Sequence, residues 1–169
     1  MKLRHILKKG REVTTREGSF VIKLASKIVS EIKSYCRKIE IGGSIRRKSK
    51  NPTDIDLIVI PKTEENKDKI KFALEKKGKF LQGGEQRAFF KIEGVEVEIY
   101  YTTPEEWGAA FLAYSSPFGA SIGLRIVART KGFKLNQHGL FRHGLQVAGR
   151  TEEEIYRALG RPWKPPEKR

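Results

Sequence analysis

Between residues 41 and 56 the chain reads IGGSIRRKSKNPTDID, a run that gathers groups of opposite chemistry. Gly42 and Gly43 permit a tight turn, Ser44 follows with a hydroxyl and backbone N–H groups, and Arg46 and Arg47 add guanidinia. Such a combination can hold phosphate oxygens. A short loop later come Asp54 and Asp56, two positions apart in DIDLIVI. On a strand they point to one face, while Ile55, Leu57 and Val59 point to the other. Carboxylates side by side on an apolar strand repel, and burial makes the repulsion worse. A divalent cation relieves it, and hard oxygen ligands suit magnesium or manganese. A metal-bound phosphate would bridge the two halves. Paired aspartates alone also describe the polar edge of an ordinary strand, and a glycine turn with arginines also describes ordinary surface. Their adjacency is what points to metal–nucleotide chemistry. A third carboxylate is expected from a neighbouring strand. In VEVEIYY, Glu96, Glu98 and Tyr100 share a face, and spacing leaves Glu96 and Glu98 equivalent.

These groups need elements to position them. Phe20, Leu24, Ile28 and Ile32, with Val21, Ala25 and Val29, recur at helical spacing, and Thr14 with Glu17 has the spacing of a capping box ahead of them. A short strand is expected at 38–41, ended by Gly42–Gly43, and DIDLIVI reads as a strand stopped by Pro61. Residues 66–77 read as a lysine-rich helix closed by Gly78. AFFKI, the turn Glu93–Gly94 and VEVEIYY read as a hairpin. Thr103 as cap, Pro104 at the first position and Glu106 completing a box predict a helix to about Tyr114. A second helix follows over 118–131, ended by Gly132. KLNQHGLFRHGLQVA has the turns of a small antiparallel sheet, and Thr151–Glu154 opens a short helix that ends at Gly160. A boundary near Thr103 divides the chain into two parts.

The 169 residues suffice for one compact unit or two small subdomains. Lys plus Arg number 35 against 20 Asp plus Glu, a net charge of +15, and 38% of residues are hydrophobic. The chain is therefore globular, and its charge favours a polyanion, nucleic acid ahead of an acidic membrane surface, over a merely solvated basic surface. Cys36 is the sole cysteine, which excludes an intrachain disulfide and a cysteine-rich zinc site, and a buried thiol is expected. His5, His138 and His143 lack metal-ligand spacing. MKLRHILKKGR lacks the apolar core of a signal peptide, and no run of 18 apolar residues is present. A soluble, intracellular protein without a membrane partner is expected.

With these residues in view, GGSIRR…DIDLIVI, VEIYYTTPEEWGAAFLAYSSP, KGFKLNQHGLF and TEEEIYRALGRPWKPPEKR resemble, in order, the family X DNA polymerases, the DNA polymerase beta group. The resemblance covers about residues 11–169. It implies an α+β fold: a nucleotidyltransferase palm, a mixed sheet with flanking helices, over 1–103, and a small α+β nascent-base-pair subdomain over 104–169. It implies that Asp54 and Asp56 bind two magnesium ions, with manganese as an alternative, and it selects Glu98 over Glu96 as the third metal ligand. Ser44 and Arg47 then hold the leaving pyrophosphate, Gly43 is nucleotide-binding, and Arg16 matches a further phosphate-binding arginine. Tyr114, Ser115 and Ser116 match the segment against the nucleotide sugar. Ser121 lies near the incoming base, Arg125 reaches the template strand, and the Ser116–Pro117 bond is expected to be cis.

The implied activity is DNA-directed DNA synthesis at a primer 3′-hydroxyl. Its substrates are gapped or primed duplex and deoxynucleoside triphosphates, its role is short-gap repair, and the enzyme is a monomer. No lyase or helix-hairpin-helix domain is expected ahead of the palm, so duplex grip must come from the basic surface, as in the small viral members. Three residues depart from the family pattern: Glu98 where aspartate is usual, Ser116 where glycine is usual, and Ala113 where a bulkier residue is common. An untemplated nucleotidyltransferase is one rival reading. A catalytically weak nucleic-acid-binding module, to which the longer Glu98 side chain gives support, is the other.

Overall fold

The strand alternation in DIDLIVI and VEVEIYY builds the centre of a five-stranded sheet. The computed structural model describes residues 3–8 and 10–169, and the chain divides into two compact units, Met1–Tyr101 and Thr102–Arg169. The first unit opens with a hairpin of β1 (Arg4–Lys8) and β2 (Arg11–Thr15). Helix α1 (Gly18–Ile32) and a single 3-10 turn lead to β3 (Cys36–Ile41), and the one-turn helix α2 (Gly43–Arg46) precedes β4 (Asp54–Pro61). Helix α3 (Glu64–Glu75), β5 (Gly78–Gly83), β6 (Arg87–Ile92) and β7 (Val95–Tyr101) complete the unit. The strand order is β3-β4-β7-β6-β5, with β4 and β7 parallel and the other pairs antiparallel.

One face of this sheet is apolar. Val21, Leu24, Ala25, Ile28 and Ile32 of α1, with Ile70 and Leu74 of α3, are buried in one cluster with Ile55, Leu57, Val59, Val97 and Ile99. Each fully buried aliphatic side chain contributes roughly 1.5–3 kcal/mol. The alternate residues Asp54, Asp56, Glu96 and Glu98 therefore emerge on the opposite face. Cys36 belongs to the cluster, its thiol donating to the Ile32 carbonyl at 3.3 Å, and burial pushes its pKa up to about 11.

Several local signals yield to tertiary contacts. Thr14, expected to cap α1, is paired with His5 inside the β1–β2 hairpin, and the cap residue Glu17 makes no side-chain cap bond. The Gly18 N–H instead donates to Asn51 Oδ1 at 3.1 Å. Helix α3 begins at Glu64 and ends at Glu75, earlier than the lysine pattern predicts, and Gly78 starts β5. The β6–β7 turn is as expected: Glu93 and Gly94 both have positive φ, 48° and 81°, the type I′ geometry of a two-residue hairpin.

The second unit holds α4 (Trp107–Ala113), α5 (Phe118–Thr130), a sheet of β8 (Lys134–Asn136), β9 (Gly139–Arg142) and β10 (Leu145–Ala148), and α6 (Glu152–Ala158). The sheet is antiparallel with β9 central, and Ala109, Leu112, Ala128, Leu135, Leu140 and Ile155 form the core. Helix α4 starts later than the Thr103 signal predicts. Glu106, expected to reach back and complete a box, pairs with His138 Nδ1 at 3.0 Å. At α6 the signal holds: Thr151 Oγ1 accepts from the Glu154 N–H at 3.1 Å, and Glu154 accepts from the Arg150 N–H at 3.2 Å. The Ser116–Pro117 bond, expected to be cis, is trans, as are all peptide bonds among the described residues. Trans is the intrinsic preference of X–Pro, and Ser116 is held to the end of α4 by its N–H and hydroxyl, both donating to the Leu112 carbonyl. Among the described residues no helix is long and apolar enough to cross a membrane.

Candidate active site

The parallel pairing of β4 with β7 sets Asp54 opposite Glu96 and Asp56 opposite Glu98. Paired strands run ~4.8 Å apart, so four acids crowd one patch of the sheet. Burial, followed by the charges of Asp54 and Glu98, pushes the Asp56 carboxyl up to about 7, and Lys8 and Arg47 oppose the shift. A carboxylate placed this way binds protons more tightly than usual and would bind a cation for the same reason.

The GGSIRR segment closes over Asp56. The Gly42 N–H donates to the Asp56 carbonyl at 2.8 Å. Gly43 has φ +56°, and a Cβ there would overlap the Asp56 carboxylate, so glycine alone fits both the backbone conformation and the space. Ser44 Oγ is buried and has no hydrogen-bond partner among the described residues. Arg47 ends α2 close enough for its charge to act on Asp56. The phosphate-type groups and the carboxylates that the sequence juxtaposes are therefore neighbours in space.

The hard oxygen donors, the cation-seeking Asp56 and the cradle left by Gly43 fit a divalent ion. As they stand, however, no three His, Cys, Asp or Glu side chains among the described residues converge to hold one. Two contacts engage the acids instead. Lys8 Nζ donates to Asp54 Oδ2 and lies 3.8 Å from Glu96 Oε2, while the Tyr100 hydroxyl donates to Glu98 Oε2. Lys8 is pushed both ways. Burial is the largest influence and lowers its pKa, but the hydrogen bond to Asp54 and the charges of Asp54, Glu96 and Asp56 together raise it. Sequence reasoning missed Lys8, because nothing local joins β1 to a strand 46 residues later. It placed Tyr100 on the correct face without giving it a role.

Arg16 is half-buried at the β6–β7 turn. Its Nε donates to the Glu93 carbonyl at 2.9 Å, its guanidinium lies 4.8 Å from the Phe20 ring centre, and Nη1 is buried without a hydrogen-bond partner among the described residues. In the second unit, Tyr114 caps the end of α4 and Ser115 is buried. Ser121 and Arg125 are one helical turn apart on α5. Together with Ser116, Trp163 and Arg169 they line a mostly apolar cavity of about 390 Å³. Arg169 donates to Glu152 at 2.9 Å and to Ser116 Oγ at 3.4 Å.

A helix-backed mixed sheet, with a glycine–serine–arginine turn closing over strand carboxylates, defines a nucleotidyltransferase. Comparison with known proteins narrows the class. The DNA polymerase beta thumb family matches residues 121–169. The repair DNA polymerase X of a Kenyan pig isolate of African swine fever virus is 28% identical over 175 residues, covering 93% of this chain and 99% of the viral protein. That of a South African tick isolate is 30% identical over 147 residues, covering 82% of this chain and 84% of the relative. DNA polymerase IV of Saccharomyces cerevisiae is 37% identical over 65 residues, covering 38% of this chain and 11% of the yeast protein. The chain belongs to the family X DNA polymerases and is a DNA-directed DNA polymerase of the repair class. Polymerases of this family use divalent metal ions.

Proposed function

We propose that the enzyme fills short gaps in duplex DNA, adding deoxynucleotides to a primer 3′-hydroxyl by two-metal nucleotidyl transfer. The observation that carries this reading is the β4–β7 register, which gathers Asp54, Asp56 and Glu98 on one face beside Gly43, Ser44 and Arg47. Asp54, Asp56 and Glu98 would hold the ions, Asp54 and Asp56 serving both and Glu98 one. When bound, the ions supply a lowered pKa at the primer hydroxyl and charge neutralisation on the triphosphate.

The chain's own residues do the positioning. Ser44, with its buried hydroxyl, and Arg47 take the β- and γ-phosphate oxygens, and Arg16 adds a guanidinium to the triphosphate. The bond formed joins the primer O3′ to the α-phosphorus, and the bond broken releases pyrophosphate, on which Ser44 and Arg47 keep their hold. Stabilising charge at fixed positions is the main source of rate in such transfers. In the second unit, Tyr114, Ser115 and Ser116 take the nucleotide sugar, Ser121 its base and Arg125 the template strand, as the matching family positions do. The first unit then acts as palm and the second as nascent-base-pair subdomain, in a monomer that binds DNA through its excess positive charge.

Primer extension on gapped, primed and single-stranded DNA tests the proposal, with magnesium or manganese and each nucleotide omitted in turn. Templated extension of the gapped substrate is expected. Extension of single strands regardless of template would make the enzyme an untemplated transferase instead. DNA binding without extension in either metal would leave a binding module.

A further inference from the structure

Hairpin β1–β2 carries a cation in an arrangement that its own pairing does not favour. Along β1, Arg4, Ile6 and Lys8 are half-buried and alternate with exposed His5 and Leu7. Lys8 stands directly opposite Arg11 across the hairpin, and like charges so placed destabilise a strand pair. The hairpin is nonetheless docked firmly. Arg4 donates to Asn51 Oδ1 at 2.5 Å, Thr15 Oγ1 to the Thr53 carbonyl at 2.5 Å, and Lys91 Nζ to the Thr14 carbonyl at 2.8 Å. These bonds hold the end of β1 at the acidic patch, where Lys8 contacts Asp54 and Glu96. The Asp54 side chain is only 16% exposed, so the ammonium supplies much of its polar environment.

We propose that Lys8 is a resident countercation of the carboxylate cluster. Its ammonium holds Asp54 in the metal-free enzyme and leaves when a divalent ion binds there, so the hairpin and the ion compete for one carboxylate. This rests on the reading of Asp54 as a metal ligand. The arrangement keeps the crowded acids folded without metal, and its cost is weaker ion binding.

Manganese binding to the DNA-free protein, followed by the paramagnetic resonance of the free ion, tests it without any turnover. Lys8→Met keeps the side-chain length and removes the charge. It should bind manganese about fivefold more tightly, the worth of a partly exposed ion pair. Lys8→Arg should retain the weak binding. Arg11→Gln removes the same charge from the same hairpin at an exposed position, and should change affinity by less than about twofold, because an exposed charge acts on the cluster through high-dielectric water. As a second readout, magnesium should speed hydrogen exchange of the β1–β2 amides in the wild type but not in Lys8→Met. Asp54→Asn separates the two readings. If Asp54→Asn weakens binding while Lys8→Met fails to tighten it, the Lys8 proposal falls and the metal assignment stands. If Asp54→Asn binds manganese as well as the wild type, the assignment itself fails and Lys8 goes with it.

Discussion

Replacing Asp56 by asparagine in the metal-free protein should change the pH dependence of folding in a direction that the site geometry dictates. The Asp56 carboxyl is pushed from 3.8 up to about 7, by burial first and then by Asp54 and Glu98. Between those values the folded state holds a proton that the unfolded chain has released. Stability is therefore fully present below the unfolded pKa and is lost as pH rises through the folded one. A shift of about three units corresponds to on the order of 4 kcal/mol. Roughly 3 kcal/mol of this should fall between about pH 5 and about pH 8.

Asparagine fills the same space and cannot ionise, so the difference between the two proteins reports the Asp56 titration together with its coupling to Asp54, Glu98 and Lys8. Urea unfolding in chelator, followed by far-ultraviolet circular dichroism, should show the wild type losing ground to Asp56→Asn by about that amount from the lower pH to the higher. Magnesium should reverse the loss at the higher pH in the wild type alone, because a cation favours the ionised form. A wild-type-minus-variant difference that is the same at both pH values would refute the raised Asp56 pKa that burial and the neighbouring acids produce.

Asp54→Ala or Asp56→Ala should abolish primer extension while leaving DNA binding intact in a gel-shift assay. Glu98, in register with Asp56, should matter more than Glu96, in register with Asp54. Glu98→Gln should lower kcat strongly with little change in nucleotide affinity, Glu96→Gln should be nearly silent, and Glu98→Asp should retain extension. Gly43→Ala, which forces a Cβ onto Asp56 at φ +56°, should lower urea stability by about 1–3 kcal/mol and remove nucleotide addition. DNA affinity should fall steeply with salt, each phosphate neutralised adding about −0.9 to the log–log slope, and a flat plot would reduce the +15 charge to a solvated surface.

The elements legible in the sequence are those whose pattern and burial agree. DIDLIVI and VEVEIYY alternate because one face meets α1 and α3, and the Glu93–Gly94 turn follows from positive φ. The β1–β2 hairpin was not legible. Its strands are five residues each, and Arg4, Lys8 and Arg11 interrupt the few apolar residues, so no apolar face announces them. β5 was missed for a related reason: it is an edge strand with mostly exposed side chains and hence no buried stripe. The capping boxes at Thr14 and Thr103 failed because partners distant in sequence won. Thr14 pairs in a hairpin and Glu106 meets His138, while the unfilled N–H at Gly18 takes Asn51. At Thr151 no such competitor bonds the cap, and the local signal stands.

The candidate site divides along the same line. That Asp54 and Asp56 share a face is a period-two fact, visible in three letters of sequence. Which glutamate stands beside which aspartate is not, because that depends on the register of two parallel strands joined by α3, β5 and β6. Spacing alone leaves Glu96 and Glu98 equivalent. The structure separates them by their partners, Glu96 with Asp54 and Lys8, Glu98 with Asp56 and Tyr100. Repulsion among four neighbouring acids demands positive charge nearby, but among 35 lysines and arginines composition cannot say which one supplies it. The docking of the β1–β2 hairpin decides that, by bringing Lys8 to Asp54 across 46 residues of chain.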